Sequence, residues 1–469
     1  MAEPAPMNRP LGANLRSIKH KLRPNGLLRK SLILTMLLYL SPVVGMLLEI
    51  VMIRVFTAGS VLDTFRALMT FMMMGQGVIT SQLLKYALVP QLAQFRVENR
   101  DREGLHFALY FTGLVVCILS PVLVVGLVWP EQLLYFFAPG LDADLITMAR
   151  GLVRVTATGF ILLTIVGSMS AVMNFYGVFW GQPLGQVVSN LVILLAVYCF
   201  GAHAAFPGQQ FGLLEISVGL GLVLMVLLML WQCAKVWVHT APTSSRMNFL
   251  AQFRLSLVML LPQLVIIAAE VIKPLAVNRT LSQIGVGSIA LYLLAFRLQM
   301  IGNLPAKAIT TVLFPDLSRL KSEASSVVLM KRLAQGSWQV FILTALISVL
   351  LWFCAGLVVD LIAHFGKITV QQQNTVLALY QVFLLFSPFG ALGLFYMETA
   401  FAYKQTGMVL VYSVINTALI VLVLPLAIAE GTLSVAVLYT VSQGICMMLL
   451  GIALFMKLYW LSRKEQQAG

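Results

Sequence analysis

Residues 87–96 read ALVPQLAQFR, and residues 312–321 read VLFPDLSRLK. The second stretch returns the first 225 positions later, placing Leu88, Pro90, Leu92 and Arg96 on Leu313, Pro315, Leu317 and Lys321. Each ends an apolar run at a proline, which removes a helical hydrogen bond, and then supplies a basic residue. A longer match keeps the same step. NFYGVFWGQPLGQVVSNLVILL (174–195) aligns with AFAYKQTGMVLVYSVINTALIV (400–421) at an offset of 226, bringing Phe175 onto Phe401 and Asn190 onto Asn416. YFFAPG (135–140) and AHFGKI (363–368) fall at nearly that offset too. The chain therefore reads as two copies of one unit.

Composition says where the unit resides. The 469 residues are 60% hydrophobic and 10% charged, with a mean hydropathy of +0.93, against roughly 25% charged in soluble domains. Apolar runs long enough to cross about 30 Å of hydrocarbon as helix recur throughout. A soluble enzyme is excluded. A net charge of +14 suggests nucleic acid only where a water-exposed domain carries a basic patch, and almost no such domain exists here. Cys117, Cys199, Cys233, Cys354 and Cys446 lie in apolar runs without CxxC spacing and read as small core residues.

Twelve helices are predicted, over 32–57, 63–92, 104–128, 146–173, 181–203, 212–236, 252–278, 286–314, 334–362, 373–402, 408–428 and 433–459. The first 31 residues hold seven Lys/Arg ahead of a run too long for a signal-peptide core, so the first helix is retained and its N-terminus is expected in the cytoplasm. With that orientation, cytoplasmic segments together with Lys235, Arg254 and Lys457 at the span ends beside them hold 21 of the 31 Lys/Arg and outer loops hold two, Arg279 and Lys367, as the positive-inside bias requires. Both termini are expected inside. Eight cations remain in the spans, Arg54, Arg66, Lys85, Arg150, Arg154, Lys273, Arg297 and Lys307. Each costs about 2.5–3.5 kcal/mol at a helix centre, so it faces a wet interior or snorkels from a helix end.

Six spans per copy is an even number, so both copies cross in the same direction about an axis along the membrane normal. The expected fold is an all-α polytopic membrane protein of two six-helix lobes enclosing a cavity. A basic segment (1–31) precedes a first lobe (32–238), a cytoplasmic linker (239–251), a second lobe (252–460) and a tail (461–469).

RVFTAGSVLDTF (54–65), YALVPQLAQF (86–95), FAPGLDADL (137–145), VMNFYGVFWGQPLGQVVSN (172–190) and AFRL with TVLFPDLSRL (295–320) resemble landmarks of the MviN/MurJ-type lipid-linked saccharide flippases. These belong to the multidrug/oligosaccharidyl-lipid/polysaccharide (MOP) exporter superfamily. The resemblance implies a bacterial inner-membrane protein that turns an undecaprenyl-pyrophosphate-linked sugar from the inner to the outer leaflet through a cation-lined cavity. Arg54 and Asp63 stand in the first landmark and Arg297 in the last. Peptidoglycan-precursor flippases usually carry further arginines where this chain reads SPVVGMLLE (41–49) and MMGQGV (73–78), and two further C-terminal helices. Those departures favour a member serving capsule, exopolysaccharide or O-antigen assembly, with a polysaccharide polymerase as partner beside the membrane lipids.

Such a headgroup crosses only where guanidinium and ammonium donors replace its water. The expected substrate-binding residues are Arg297, Lys273 and Lys307 from the second lobe and Arg54 and Arg154 from the first. Arg54 and Asp63 flank a short turn and alternatively form a structural pair. Glu270 and Lys273, three apart on one helical face, read as a bridge or as a switch, and Glu398 and Glu49 as ion or proton sites or as paired carboxylates. Asp360 and His364 read as an interfacial pair. No metal site, cofactor or nucleotide motif is expected, so energy comes from an ion gradient (Na+ or H+), the membrane potential or substrate consumption. Two rival classes are a cation-coupled multidrug antiporter of the same superfamily, disfavoured by the basic excess in the spans, and a non-transporting scaffold, which leaves buried cations without a purpose.

Overall fold

A computed structural model of the chain describes residues 24–75, 88, 91–92, 95–96, 100–176, 178, 180–204, 206–238, 249–303, 325–366, 368–403 and 405–468. The described helices are α1 (Pro24–Phe56), α2 (Ser60–Met74), α3 (Asp101–Val128), α4 (Pro130–Phe137), α5 (Ala143–Met148), α6 (Arg150–Phe175), α7 (Gly181–Phe200), α8 (Pro207–Val238), α9 (Phe249–Ile284), α10 (Ser288–Gly302), α11 (Ser326–Gly366), α12 (Val370–Ala402), α13 (Thr406–Val423) and α14 (Thr432–Ala468). Every predicted span overlaps one of them. Nine, among the described residues, are long and apolar enough to cross a membrane, and α10 is a shorter apolar helix. The proline-ended stretch at 312–321 and most of its partner at 87–96 lie outside the described residues.

Local chemistry sets the helix ends. Pro130 opens α4, where a missing N–H costs nothing, so the segment between α3 and α6 forms two short helices rather than a plain loop. Thr369 caps α12 reciprocally, accepting from Gln372 N at 3.3 Å while Gln372 Oε1 accepts from Thr369 N at 3.2 Å. Helices α11 and α14 outrun their predicted spans, because nothing breaks the helix where the apolar run stops.

Helices α1–α8 pack into one lobe and α9–α14 into the other. Small residues let neighbours approach closely: Gly126 of α3 lies on Ala157 of α6, and Gly393 of α12 on Met447 of α14. The turn at 57–59, the loop at 138–142 and the turn at 285–287 fall at one end of the bundle, hereafter the first-turn end. There the lobes meet. Gly140 of the first lobe abuts Ser282 of the second, its N–H donating to Ser282 Oγ at 3.3 Å, and Gly366 of the second abuts Ile53 of the first. Both glycines lie in the stretches YFFAPG and AHFGKI, so each copy brings that part of its chain to the other.

The main apolar core runs through both lobes at this end, from Leu48 and Leu62 to Leu281, Leu294 and Ala436, whereas a second cluster around Leu333, Phe395 and Leu450 belongs to the second lobe alone. At the opposite end the described contacts stay within a lobe. Tyr176 OH donates to Asp101 O at 3.4 Å, and Ser326 donates to Glu465 from N at 2.9 Å and Oγ at 2.6 Å. The long last helix of each lobe finishes there in the same device. Lys235 sits 3.5 Å over the Trp231 ring on α8, and Lys464 sits 3.8 Å over the Trp460 ring on α14. Outward faces are apolar, with Phe353 82% exposed, as a lipid-solvated surface requires. Cys117, Cys199 and Cys354 lie on exposed surface and only Cys446 is buried, which corrects the reading of all five as core: where lipid is the solvent, a small apolar side chain gains nothing by burial.

Candidate functional site

The α1 helix carries one acid in its interior. Glu49 is 1% exposed, and a carboxylate so placed must find cations. It finds two. Arg66 of α2, 2% exposed, donates from Nη2 to Glu49 Oε2, and the Nη1 of Arg297, on α10, pairs with Glu49 Oε1. Each oxygen thus holds one guanidinium, and one of these comes from each lobe. Arg297 keeps 33% of its side chain exposed while Glu49 and Arg66 keep 2%. It is the open member of the triad, next to the aromatic cluster of Tyr292, Phe296 and Phe383. Two guanidiniums and one carboxylate leave the site with one net positive charge.

Above the triad, toward the first-turn end, Asp63 is 2% exposed. It does not pair with Arg54. Its carboxylate crosses to the second lobe and caps α10, accepting from Gly287 N at 2.5 Å and Ala290 N at 2.8 Å. A helix start offers unpaired N–H groups and positive potential, which suit a buried carboxylate better than a mobile side chain at the membrane edge. The cap depends on Gly287, whose φ of 87° few other residues adopt and whose Cα faces the Ala58 carbonyl of the first lobe.

The structure brings together only part of the expected set. Arg297 is in the site. Arg54 is exposed and shares a face of α1 with Val43 and Leu47, each 50% exposed, on the side of α1 turned away from Glu49. Arg154 is likewise exposed. On α6, Gly159 and Phe160 meet α2, Ala157 meets α3, and Gly151 and Val155 meet α8, which leaves Arg154 on the outer wall with Thr158. Arg150 at the same end pairs with Glu131.

Lys273 is buried in a separate cluster within the second lobe. Its Nζ lies 2.7 Å from Glu270 Oε2, Ser413 Oγ donates to Glu270 Oε1 at 3.3 Å, and Thr417 Oγ1 donates to Ala269 O at 2.9 Å. The ion pair is in place, as both readings of it expect, and the bonds from Ser413 and Thr417 tie α9 to α13 beside it. Glu398 is half-buried near the end of α12, and Lys307 lies outside the described residues. Asp360 accepts from Gln373 Nε2 rather than pairing with His364, because the next helix presents an amide where a same-helix histidine must bend back. Among the described residues no group of three or more His, Cys, Asp or Glu gathers as a metal site.

Sequence reasoning placed Arg66 at a helix end and Glu49 among several loose carboxylates. The signal available was sign complementarity alone, since Glu49 and Arg297 are separated by two hundred and more residues.

The family model described as Lipid II flippase MurJ matches residues 52–467. Among solved structures, a lipid II flippase MurJ in an inward closed conformation superposes with a TM-score of 0.70 at 16% identity, over 91% of this chain and 90% of that one. An inward-facing multidrug resistance MATE family transporter of the MOP superfamily gives 0.72 at 13% identity, over 90% and 96%. A MOP superfamily transporter from Pyrococcus furiosus, described as having a binding pocket of reverse polarity, gives 0.62 at 14% identity, over 92% and 96%.

Proposed function

The chain belongs to the MurJ lipid II flippase family, and from that membership we propose that it carries an undecaprenyl-pyrophosphate-linked saccharide from the inner to the outer leaflet of a bacterial inner membrane by alternating access. The observation that carries this reading is Arg297. A guanidinium one third exposed at the seam of two lobes is positioned to take a phosphate oxygen through its planar fork, and the polyprenyl tail stays in lipid beside the lobes. Lys307, ten residues beyond Arg297 in the sequence, supplies a second cation to the same headgroup in this reading.

With both termini in the cytoplasm, as the charge bias and the paired Trp–Lys helix ends support, the first-turn end is the outer face. Its seam is closed by Asp63, Gly140 and Gly287, which supports entry of substrate from the cytoplasm, where it is made. Transport draws on an ion gradient or on the membrane potential, without a resident cofactor. The substrate belongs to exopolysaccharide or O-antigen assembly rather than to peptidoglycan, because α1 offers Glu49 where further arginines would serve lipid II, and a polysaccharide polymerase receives the product.

The test is leaflet-specific detection of a labelled undecaprenyl-pyrophosphate sugar in vesicles. Wild-type protein should move label across the bilayer, and Arg297→Gln should fall to the protein-free rate. Equal rates for both proteins, or none above background for either, refute the proposal. The similar fold of a multidrug transporter makes a cationic dye the proper control. Efflux of the dye without movement of the lipid would establish the antiporter reading instead, although a site with net positive charge repels such cargo.

A further inference from the structure

The triad contains a charge that the transport reading leaves unused. A phosphate-binding site needs guanidiniums, yet Arg297 is already engaged by Glu49, a carboxylate sealed from water. Carboxylate and phosphate oxygens compete for the same face of a guanidinium. We infer that Glu49 is the internal stand-in for the substrate's phosphate, and that exchange of the two on Arg297 parts the lobes at the first-turn end. This rests on the flippase reading and adds to it a residue that sets both affinity and the trigger for opening.

Three observations carry it. The two ion pairs of Glu49 differ in kind: the one with Arg66 joins α1 to α2 inside one lobe, and the one with Arg297 joins the lobes. Breaking the second therefore loosens the seam while the first keeps Glu49 compensated within its own lobe, so no charge is stranded. Exposure runs the same way, since Arg297 is the open partner and Arg66 the sealed one. An arriving anion reaches Arg297 first. Finally, the remaining described ties across the seam, Asp63 to Gly287 and Ala290 and Gly140 to Ser282, cluster at that end, so the Glu49–Arg297 pair is the tie that substrate can reach.

A ligand shifts a two-state equilibrium only through its different affinity for the states. Here phosphate binds Arg297 in competition with the closed-state contact, so it favours the open seam. A neutral side chain at position 49 leaves Arg66 and Arg297 facing each other without a shared anion, and the seam opens without substrate.

The experiment uses full-length protein in nanodiscs with its five native cysteines replaced and spin labels at Asp142→Cys and Gln283→Cys, which flank the Gly140–Ser282 contact. The unsubstituted triad should give a short distance that lengthens on adding undecaprenyl pyrophosphate. Glu49→Gln should give the long distance from the outset and bind undecaprenyl pyrophosphate about tenfold more tightly, because no internal anion competes. Arg297→Gln should be long and insensitive to the lipid. Glu49→Asp, which keeps the charge on a shorter arm, should fall between, and it carries the test if Glu49→Gln fails to fold. A short distance in Glu49→Gln, or unchanged affinity with wild-type transport, overturns the inference. The transport assay with unsubstituted protein is independent of this result, so failure of the flippase reading appears there and not here.

Discussion

Replacing Asp63 by alanine removes two hydrogen bonds that cross between the lobes, to Gly287 N at 2.5 Å and Ala290 N at 2.8 Å. Bonds to a charged acceptor contribute about 1.5–3 kcal/mol each. The carboxylate is 2% exposed, so its own desolvation offsets part of that gain, and the lower figure applies. Two bonds at the lower figure give about 3 kcal/mol, and with tenfold for every 1.4 kcal/mol the cap opens roughly a hundredfold more often. Asp63→Asn keeps one acceptor and loses the charge, for about half that energy and roughly a tenfold effect. Hydrogen–deuterium exchange of the reconstituted protein reads the amides at issue. Residues 287–291 should exchange faster by those factors, with α6 and α12 unchanged. Exchange at 287–291 within about threefold of wild type, or an equal rise over both lobes, refutes the assignment of Asp63 as the cap that ties them.

Three further outcomes follow from the same geometry. Arg66→Met strands part of the Glu49 charge, so it should cost about 3–5 kcal/mol of stability in a thermal melt, and Glu49→Leu added to Arg66→Met should recover most of it. Arg54→Gln and Arg154→Gln, on outward faces, should transport within about twofold of wild type in the vesicle assay, in contrast to the loss expected for Arg297→Gln. Lys273→Met leaves Glu270 without its cation and should lower the melting midpoint, whereas Glu270→Leu combined with Lys273→Met should melt near wild type, a double-mutant cycle separating a structural bridge from a transport residue.

Apolar run length located the helices, since a span must satisfy its own backbone in hydrocarbon, and the 226-residue offset located the two lobes. The matched stretches YFFAPG and AHFGKI include Gly140 and Gly366, which the structure places at contacts across the seam. Which way a given cation points was another matter. Arg54 and Glu49 lie five residues apart on α1, more than a quarter-turn from one another, and only the neighbours of α1 decide that one is exposed and the other meets two arginines. Asp63 and Arg66 had equally plain sequence surroundings. The first found a helix start in the other lobe and the second a carboxylate in its own. Lys273 sat as deep in its span as Arg297, and the partner three residues earlier claimed it. Long-range pairing of buried charges has no periodicity to betray it.

The matched ends of α8 and α14 bear on how such a molecule moves. An indole with an ammonium resting on its face has one wet side and one oily side, and it prefers the narrow layer between water and acyl chains. Each half is thereby moored at a fixed depth on the same leaflet. Tilting then swings the far tips through the largest arc, as tongs do when their handles float level, and small changes at the grip become wide displacements where cargo leaves.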